Sequence, residues 1–136
     1  MVSAKSQLSD QDLQRLLTFR DGLRRFLRWS EEKAKAVGVT GPQHQLLLAI
    51  RAHGSPPSVG DVAEHLLLRH HSAVELVDRA VRAGLVTRAA DPSDQRVVRL
   101  ALLPAGEDKL AALAAAHHEE LSRLRVRFES LWAELP

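Results

Sequence analysis

The chain contains no cysteine, which removes disulfides, thiolate nucleophiles, cysteine-ligated zinc and cysteine-based redox sensing together. Aromatic residues make up only 4% of its 136 residues. No apolar run approaches the ~18 residues of a membrane span, and the first twelve residues are polar and mixed in charge, unlike a secretory signal. A cytoplasmic location and no membrane partner are the expectation. Also missing are a glycine-rich phosphate loop, a nucleophile elbow, a His-Glu-x-x-His motif and a convincing carboxylate pair. His71 and Ser72 are adjacent, but neighbours on a helix diverge and form no dyad. Neither an enzyme nor a cofactor is expected.

What remains is ordinary soluble composition, 45% hydrophobic and 26% charged, long enough for one domain. The net charge of +2 argues only weakly for nucleic acid. The positive charge is carried mostly by arginine, whose fork suits phosphate and guanine.

Order along the chain is more informative. Residues 1–10 read as a loose terminus. From about Leu13 to Val37, apolar residues recur at helical spacing through Leu16, Phe19, Leu23, Phe26, Leu27 and Ala34, among Arg15, Arg20, Arg24, Arg25 and Arg28. Gly38 stops that helix, and Thr40 with Gln43 forms a capping box that opens the next, Pro42 fitting its first turn. Gly54-Ser55-Pro56-Pro57 marks a turn. Ser58 and Asp61 start a short helix with Val59, Val62, Ala63 and Leu66 inside. After a turn at Leu67–Arg69 a helix runs from His70 to Ala83, buried through Ala73, Val77, Ala80 and Val81, and Gly84 suits the left-handed position that ends it. Two short helices around a tight turn make a helix-turn-helix, the second being the candidate reader of DNA.

Two short strands follow, Leu85–Arg88 and Val97–Leu102, around the turn Asp91-Pro92-Ser93-Asp94. An isolated ribbon of this kind is marginal in water and must lean on the helices before it. From Pro104 a helix continues to about Leu135. In it Leu110, His117, Leu124 and Leu131 repeat every seven residues, as do Ala114, Leu121, Phe128 and Leu135 offset by four. Such a seam packs on the first helix, on a second subunit, or on both. The small helix-turn-helix core cannot cover two long amphipathic helices, so a homodimer is expected.

Residues 84–106 resemble the MarR family of winged-helix bacterial transcription regulators. Gly84-Leu85-Val86-Thr87-Arg88 fits the family's Gly-Leu-Val-x-Arg, and Asp94-Gln95-Arg96 its Asp-x-Arg wing. Leu102-Leu103-Pro104-Ala105-Gly106 fits Leu-Thr-x-x-Gly except that Leu103 replaces the threonine, removing a helix cap of about 0.5–2 kcal/mol. The resemblance spans about Thr40 to Gly106 with helices on either side. It implies a mainly α fold with a small β-ribbon wing, dimerising through its N- and C-terminal helices. Residues 1–136 would form one domain, 8–38 and 105–135 the dimerisation helices and 40–104 the DNA-binding lobe. It further implies a pseudo-palindromic double-stranded DNA operator and repression relieved by a small aromatic or lipophilic effector, bound where the lobes meet the dimer helices.

Candidate DNA-binding residues are Arg69, His70, His71, Ser72 and Glu75 at the start of the reader helix, with Arg88, Arg96 and Arg99 on the wing. In the family the arginine at the Arg96 position enters a narrow minor groove; the plain alternative is that Arg96 pairs with Asp94 or Asp91. Glu75 reads a cytosine or points aside. Six arginines between Ser58 and Pro104 are balanced by six acidic residues, so attraction depends on placement or on the arginines of the first helix. Phe26, Trp29 and His44 are the candidate effector site, with core filling as the plain alternative. Seven histidines invite a metal reading at His117, His118 and Glu120, against the plainer one of solvated or seam-packed histidines, and no metal ligand is assigned. A metal-responsive regulator and a winged-helix dimer acting on a protein partner are the alternative functions.

Overall fold

The computed structural model describes residues 7–133. Five helices and one ribbon follow in the order α1 Asp10–Ala36, α2 Gly41–Ala52, α3 Val59–Leu66, α4 His70–Arg82, β1 Val86–Ala90, β2 Val98–Leu102 and α5 Pro104–Trp132. The fold is mostly helical with one antiparallel pair, β1 and β2, in register from Val86 opposite Leu102 to Ala90 opposite Val98. Among the described residues no helix is long and apolar enough to cross a membrane.

Local capping sets most boundaries. Thr40 with Gln43 and Ser58 with Asp61 form reciprocal capping boxes at α2 and α3, each satisfying amides a helix start leaves orphaned. Ser9 with Asp12 does the same at α1. The loose terminus expected for residues 1–10 ends one residue sooner, with Ser9 as cap and Asp10 already helical, while residues 1–6 lie outside the described residues. At the far end of α1 the Lys109 ammonium donates to the Val37 carbonyl, tying α5 to α1 where helix carbonyls run out of partners.

The winged lobe closes around one residue. Gly84 adopts φ +74°, which reverses the chain so that the Leu85 amide bonds the Ala80 carbonyl at 3.0 Å. The Leu85 carbonyl then accepts from the Leu103 amide at 2.9 Å, on the other side of the ribbon. Gly106 is buried against that carbonyl, and a Cβ there would fall well inside van der Waals contact with it. The ribbon leans on the helices as its size requires: the Leu100 amide donates to the Pro57 carbonyl at 2.9 Å, and Ser58 bridges Arg99. Leu46, Leu47, Val62, Val77, Val86, Leu100 and Leu113 are fully buried in the common core.

The long helices bury only part of each apolar stripe within the chain. The α1 stripe is split: Ala34 is buried and Phe19, Leu23 and Phe26 half-buried, but Leu16 and Leu27 are exposed. On α5, Leu110 and Leu124 are buried and His117 and Leu131 half-buried, whereas in the second heptad register Ala114 is exposed and Leu121 is 52% exposed. Leu113, outside both heptad registers, is also buried, because α5 meets its neighbours within the chain at helical rather than coiled-coil period. Phe128 stays half-buried over Phe19, ring centroids 5.4 Å apart, with its edge against Gly22; Leu135 lies outside the described residues. The strands also begin one residue later than expected.

Gly106→Ala should destabilise the protein by about 1–3 kcal/mol, the usual cost of forcing atoms into a filled space. Urea denaturation measures it, and an unchanged midpoint would contradict the packing at Leu85.

Candidate nucleic-acid interface

The start of α4 and the wing lie on one side of the lobe. A cleft of about 600 Å³ between them is lined by His70, Val74 and Asp78 of α4, Arg88, Arg96 and Val98 of the wing, and Val59 and Gly60 of α3. Arg69 occupies the N-cap position of α4 without a side-chain cap bond. Arg69, His70, His71 and Glu75 are exposed and Ser72 is half-buried. The turn before them contains Leu67 at φ 54°, and this leucine is 92% exposed. A non-glycine residue in that conformation is uncommon.

The wing arginines are held by aspartates. At the tip, Arg96 forks onto Asp94 through Nε at 3.1 Å and Nη2 at 3.2 Å, while its side chain remains 91% exposed. Those bonds hold the Asp94 carboxyl below its usual pKa. Arg88 is paired with Asp78 of α4. Arg99 donates to Asp91 at 2.7 Å and to the Pro56 carbonyl at 3.4 Å, and lies 3.9 Å from Asp61. Arg99 thus struts the wing against the α2–α3 turn, and Arg88 ties it to α4.

A second cluster sits where α1, α2 and α5 meet. Its centre is His117, whose ring lies 4.8 Å from Trp29, 5.9 Å from Phe26 and 4.7 Å from His44. The expected effector residues Phe26, Trp29 and His44 are thus brought together around His117, a residue the sequence places in the heptad series and among the candidate metal residues. His117 Nδ1 lies 2.7 Å from the Leu113 carbonyl; a carbonyl only accepts, so Nδ1 carries the proton. In the neutral ring Nε2 accepts from the Ser30 hydroxyl at 2.6 Å. Both nitrogens are occupied. His118 is exposed and Glu120 pairs with Arg123, so His117, His118 and Glu120 do not converge. Among the described residues no three acidic or histidine side chains gather round a metal-sized point.

A family model for the MarR family matches residues 37–97, from the end of α1 through the wing tip. This stretch, the winged lobe with the helices that open it, matches the MarR family. The uncharacterized HTH-type transcriptional regulator YsmB of Bacillus subtilis (strain 168) is 35% identical over 77 residues, 57% of this chain and 51% of that protein. The chain therefore spans about half the length of the curated relative it matches. Among solved structures, the MarR family transcription regulator SP03579 superposes with a TM-score of 0.79 at 24% identity, covering 96% of this chain and 86% of that one. YusO of Bacillus subtilis gives 0.63 at 25% identity, over 97% and 92% of the two chains. A mutant of S. aureus MepR bound to an oligodeoxyribonucleotide gives 0.65 at 18%, over 96% and 86%. The fold shared by these proteins includes both long helices as well as the winged lobe.

His44 is buried, and that burial, followed by electrostatic repulsion from the nearby His117 ring, lowers its pKa below the ordinary value of 6.5. The folded state therefore holds His44 neutral while the unfolded chain takes up a proton. Stability should be intact above about pH 6.5 and fall as the pH drops below it. The aspartates with lowered pKa values lose their contribution only in more acid solution. Urea midpoints on either side of pH 6.5 test this: a decline that His44→Gln flattens is expected, and a pH-independent midpoint would contradict a buried neutral His44.

Proposed function

We propose that this chain is a MarR-family, sequence-specific double-stranded-DNA-binding transcriptional regulator acting as a homodimer, and that it represses until an effector releases it. The observation that carries the reading is the cleft shared by His70 of α4 and Arg96 of the wing, which lets a helix and an exposed arginine address one duplex from one face. A helix in the major groove and an arginine in a narrow minor groove are complementary modes of readout. The fold shared with the MepR mutant solved on an oligodeoxyribonucleotide supports the same orientation. Arg69, His70, His71, Ser72 and Glu75 are the base- or phosphate-facing residues, Arg96 the groove probe, and Arg88 and Arg99 the residues that hold the wing in place.

The dimer follows from uncovered apolar surface. Leu13, Leu16, Leu17 and Leu27 of α1 and Leu121 and Trp132 of α5 are all more than half exposed, a concentration that a lone soluble chain rarely presents. A second copy covering these faces would set the two reading helices on one duplex, with residues 8–38 and 105–135 as the dimerisation helices and 40–104 as the reading lobe. Effector release belongs to the Phe26, Trp29, His44 and His117 cluster, because it touches the reading lobe through α2 and the long helices through α1 and α5. A flat aromatic ligand wedged there would shift the lobe. Titrating salicylate-like acids while following Trp29 emission and DNA release tests this; Trp29→Leu with an unshifted midpoint would place the effector elsewhere.

Arg96→Ala should weaken binding to a selected operator by about 1–3 kcal/mol and flatten the preference for A·T pairs at the site edges, while leaving the thermal midpoint nearly unchanged because Arg96 is exposed. Equal affinity for both proteins at the same salt concentration would remove the wing from the interface. No salt-dependent DNA binding at all would favour a protein partner instead.

Leu16→Glu and Leu121→Glu alter exposed positions, where a monomer would lose at most about 0.5 kcal/mol. Each should convert a sedimenting dimer to a monomer. A parent chain that sediments as a monomer at all concentrations would overturn the dimer.

A further inference from the structure

Away from the reading face, two histidines on different helices point ring nitrogens at each other. His53 follows the last turn of α2 and His65 lies in the last turn of α3. His53 Nδ1 and His65 Nε2 are 2.9 Å apart, with the rings close to perpendicular at 85°. On the far side of the His53 ring, Nε2 lies 3.6 Å from Asp61 Oδ2. His65 is exposed and His53 half-buried, so the gap between the nitrogens is open to solvent.

We propose that His53 and His65 form a two-imidazole seat for a first-row divalent metal ion of the Zn(II) kind, with Asp61 orienting His53 from behind. Two nitrogens bound tetrahedrally to zinc at about 2.0–2.1 Å stand about 3.3 Å apart, so the observed gap needs to open by only a few tenths of an ångström. Imidazole suits Zn, Ni and Cu. With His53 in its Nε2–H tautomer and His65 in its Nδ1–H tautomer, both rings are neutral and the two facing nitrogens present lone pairs toward one point. A metal-bound histidine usually donates its other N–H to a carboxylate, and Asp61, 3.6 Å behind the His53 ring, is the carboxylate that would close on it. Asp61 is itself fixed: its Oδ2 accepts from the Ser58 amide at 2.9 Å, and Arg99 of the wing lies 3.9 Å away. The protein supplies two ligands and water completes the shell. Bound there, the ion clips the end of α2 to α3 across the Gly54–Pro57 turn and so stiffens the first helix of the helix-turn-helix. The site does not depend on the DNA-binding reading.

Calorimetric titration of the untagged full chain with zinc chloride, and in parallel nickel chloride, tests the proposal. One ion per chain is expected, with a thermal midpoint that rises with metal concentration because only the folded state holds the pair. His53→Gln and His65→Gln should each abolish both effects while preserving the circular dichroism spectrum. Asp61→Asn can still accept from the Ser58 amide, and should weaken binding by about 10–100-fold, as loss of an outer-shell carboxylate does. His118→Gln, and the His70→Gln/His71→Gln pair, should leave binding intact. No saturable binding, binding that survives His65→Gln, or binding lost equally in the His118 variant would each overturn the site.

Discussion

The position of the reading surface depends on the backbone of Leu85. Its amide closes α4 by bonding the Ala80 carbonyl, and its carbonyl receives the Leu103 amide at the root of the returning strand. Gly106 lies against the same carbonyl. The backbone of one residue thus joins the end of the reading helix, both roots of the ribbon and the first turn of the longest helix. No side chain could provide this, because the contact needs an absent Cβ at residue 106 and a left-handed φ at residue 84. From this joint α5 runs along α1 with Lys109 fixed on the Val37 carbonyl. A displacement of the long helices would therefore reach the wing through packed backbone, as the effector control proposed above requires.

Charge works by placement here, since the winged segment is balanced in sign. Its aspartates hold Arg88, Arg96 and Arg99 in fixed directions. The guanidinium of the Arg96–Asp94 fork is exposed, and surface ion pairs of this class are worth about 0–1 kcal/mol, so a phosphate or a narrow minor groove can take the guanidinium over at little cost. The Arg99–Asp91 bond is more sheltered and faces the Pro56 carbonyl; it keeps the tip aimed. An interface built this way gains specificity from geometry more than raw attraction, and the exposed Arg20, Arg24, Arg25 and Arg28 of α1 add positive charge outside the lobe.

Features that depend on a few neighbouring residues were legible in the sequence. The Thr40–Gln43 and Ser58–Asp61 caps, the Gly84 reversal and the ribbon all stand where local chemistry puts them. The Ser9–Asp12 cap carries the same signal and was passed over because polar residues surround it. The heptads of α5 were half legible: periodicity identifies an apolar face but cannot say whether the same chain or another covers it, so Leu113 was missed and Leu121 placed in a seam it does not enter within one chain. His117 stood out as a polar residue in an apolar series, yet its partner Ser30 is 87 residues away. The His53–His65 approach had no signal at all, since it depends on how the Gly54–Pro57 turn folds α3 back on α2. The glycine at 106 was recognisable as part of a motif, but its reason, the Leu85 carbonyl, is a long-range contact.

The most direct measurement is a hydroxyl-radical footprint of the full chain on a duplex selected from random sequence. The account predicts two protected half-sites related by two-fold symmetry, one helical turn or about 34–36 Å apart centre to centre, each flanked by minor-groove protection where the Arg96 wing lies. A single asymmetric patch, or no protection on any selected duplex, would contradict it.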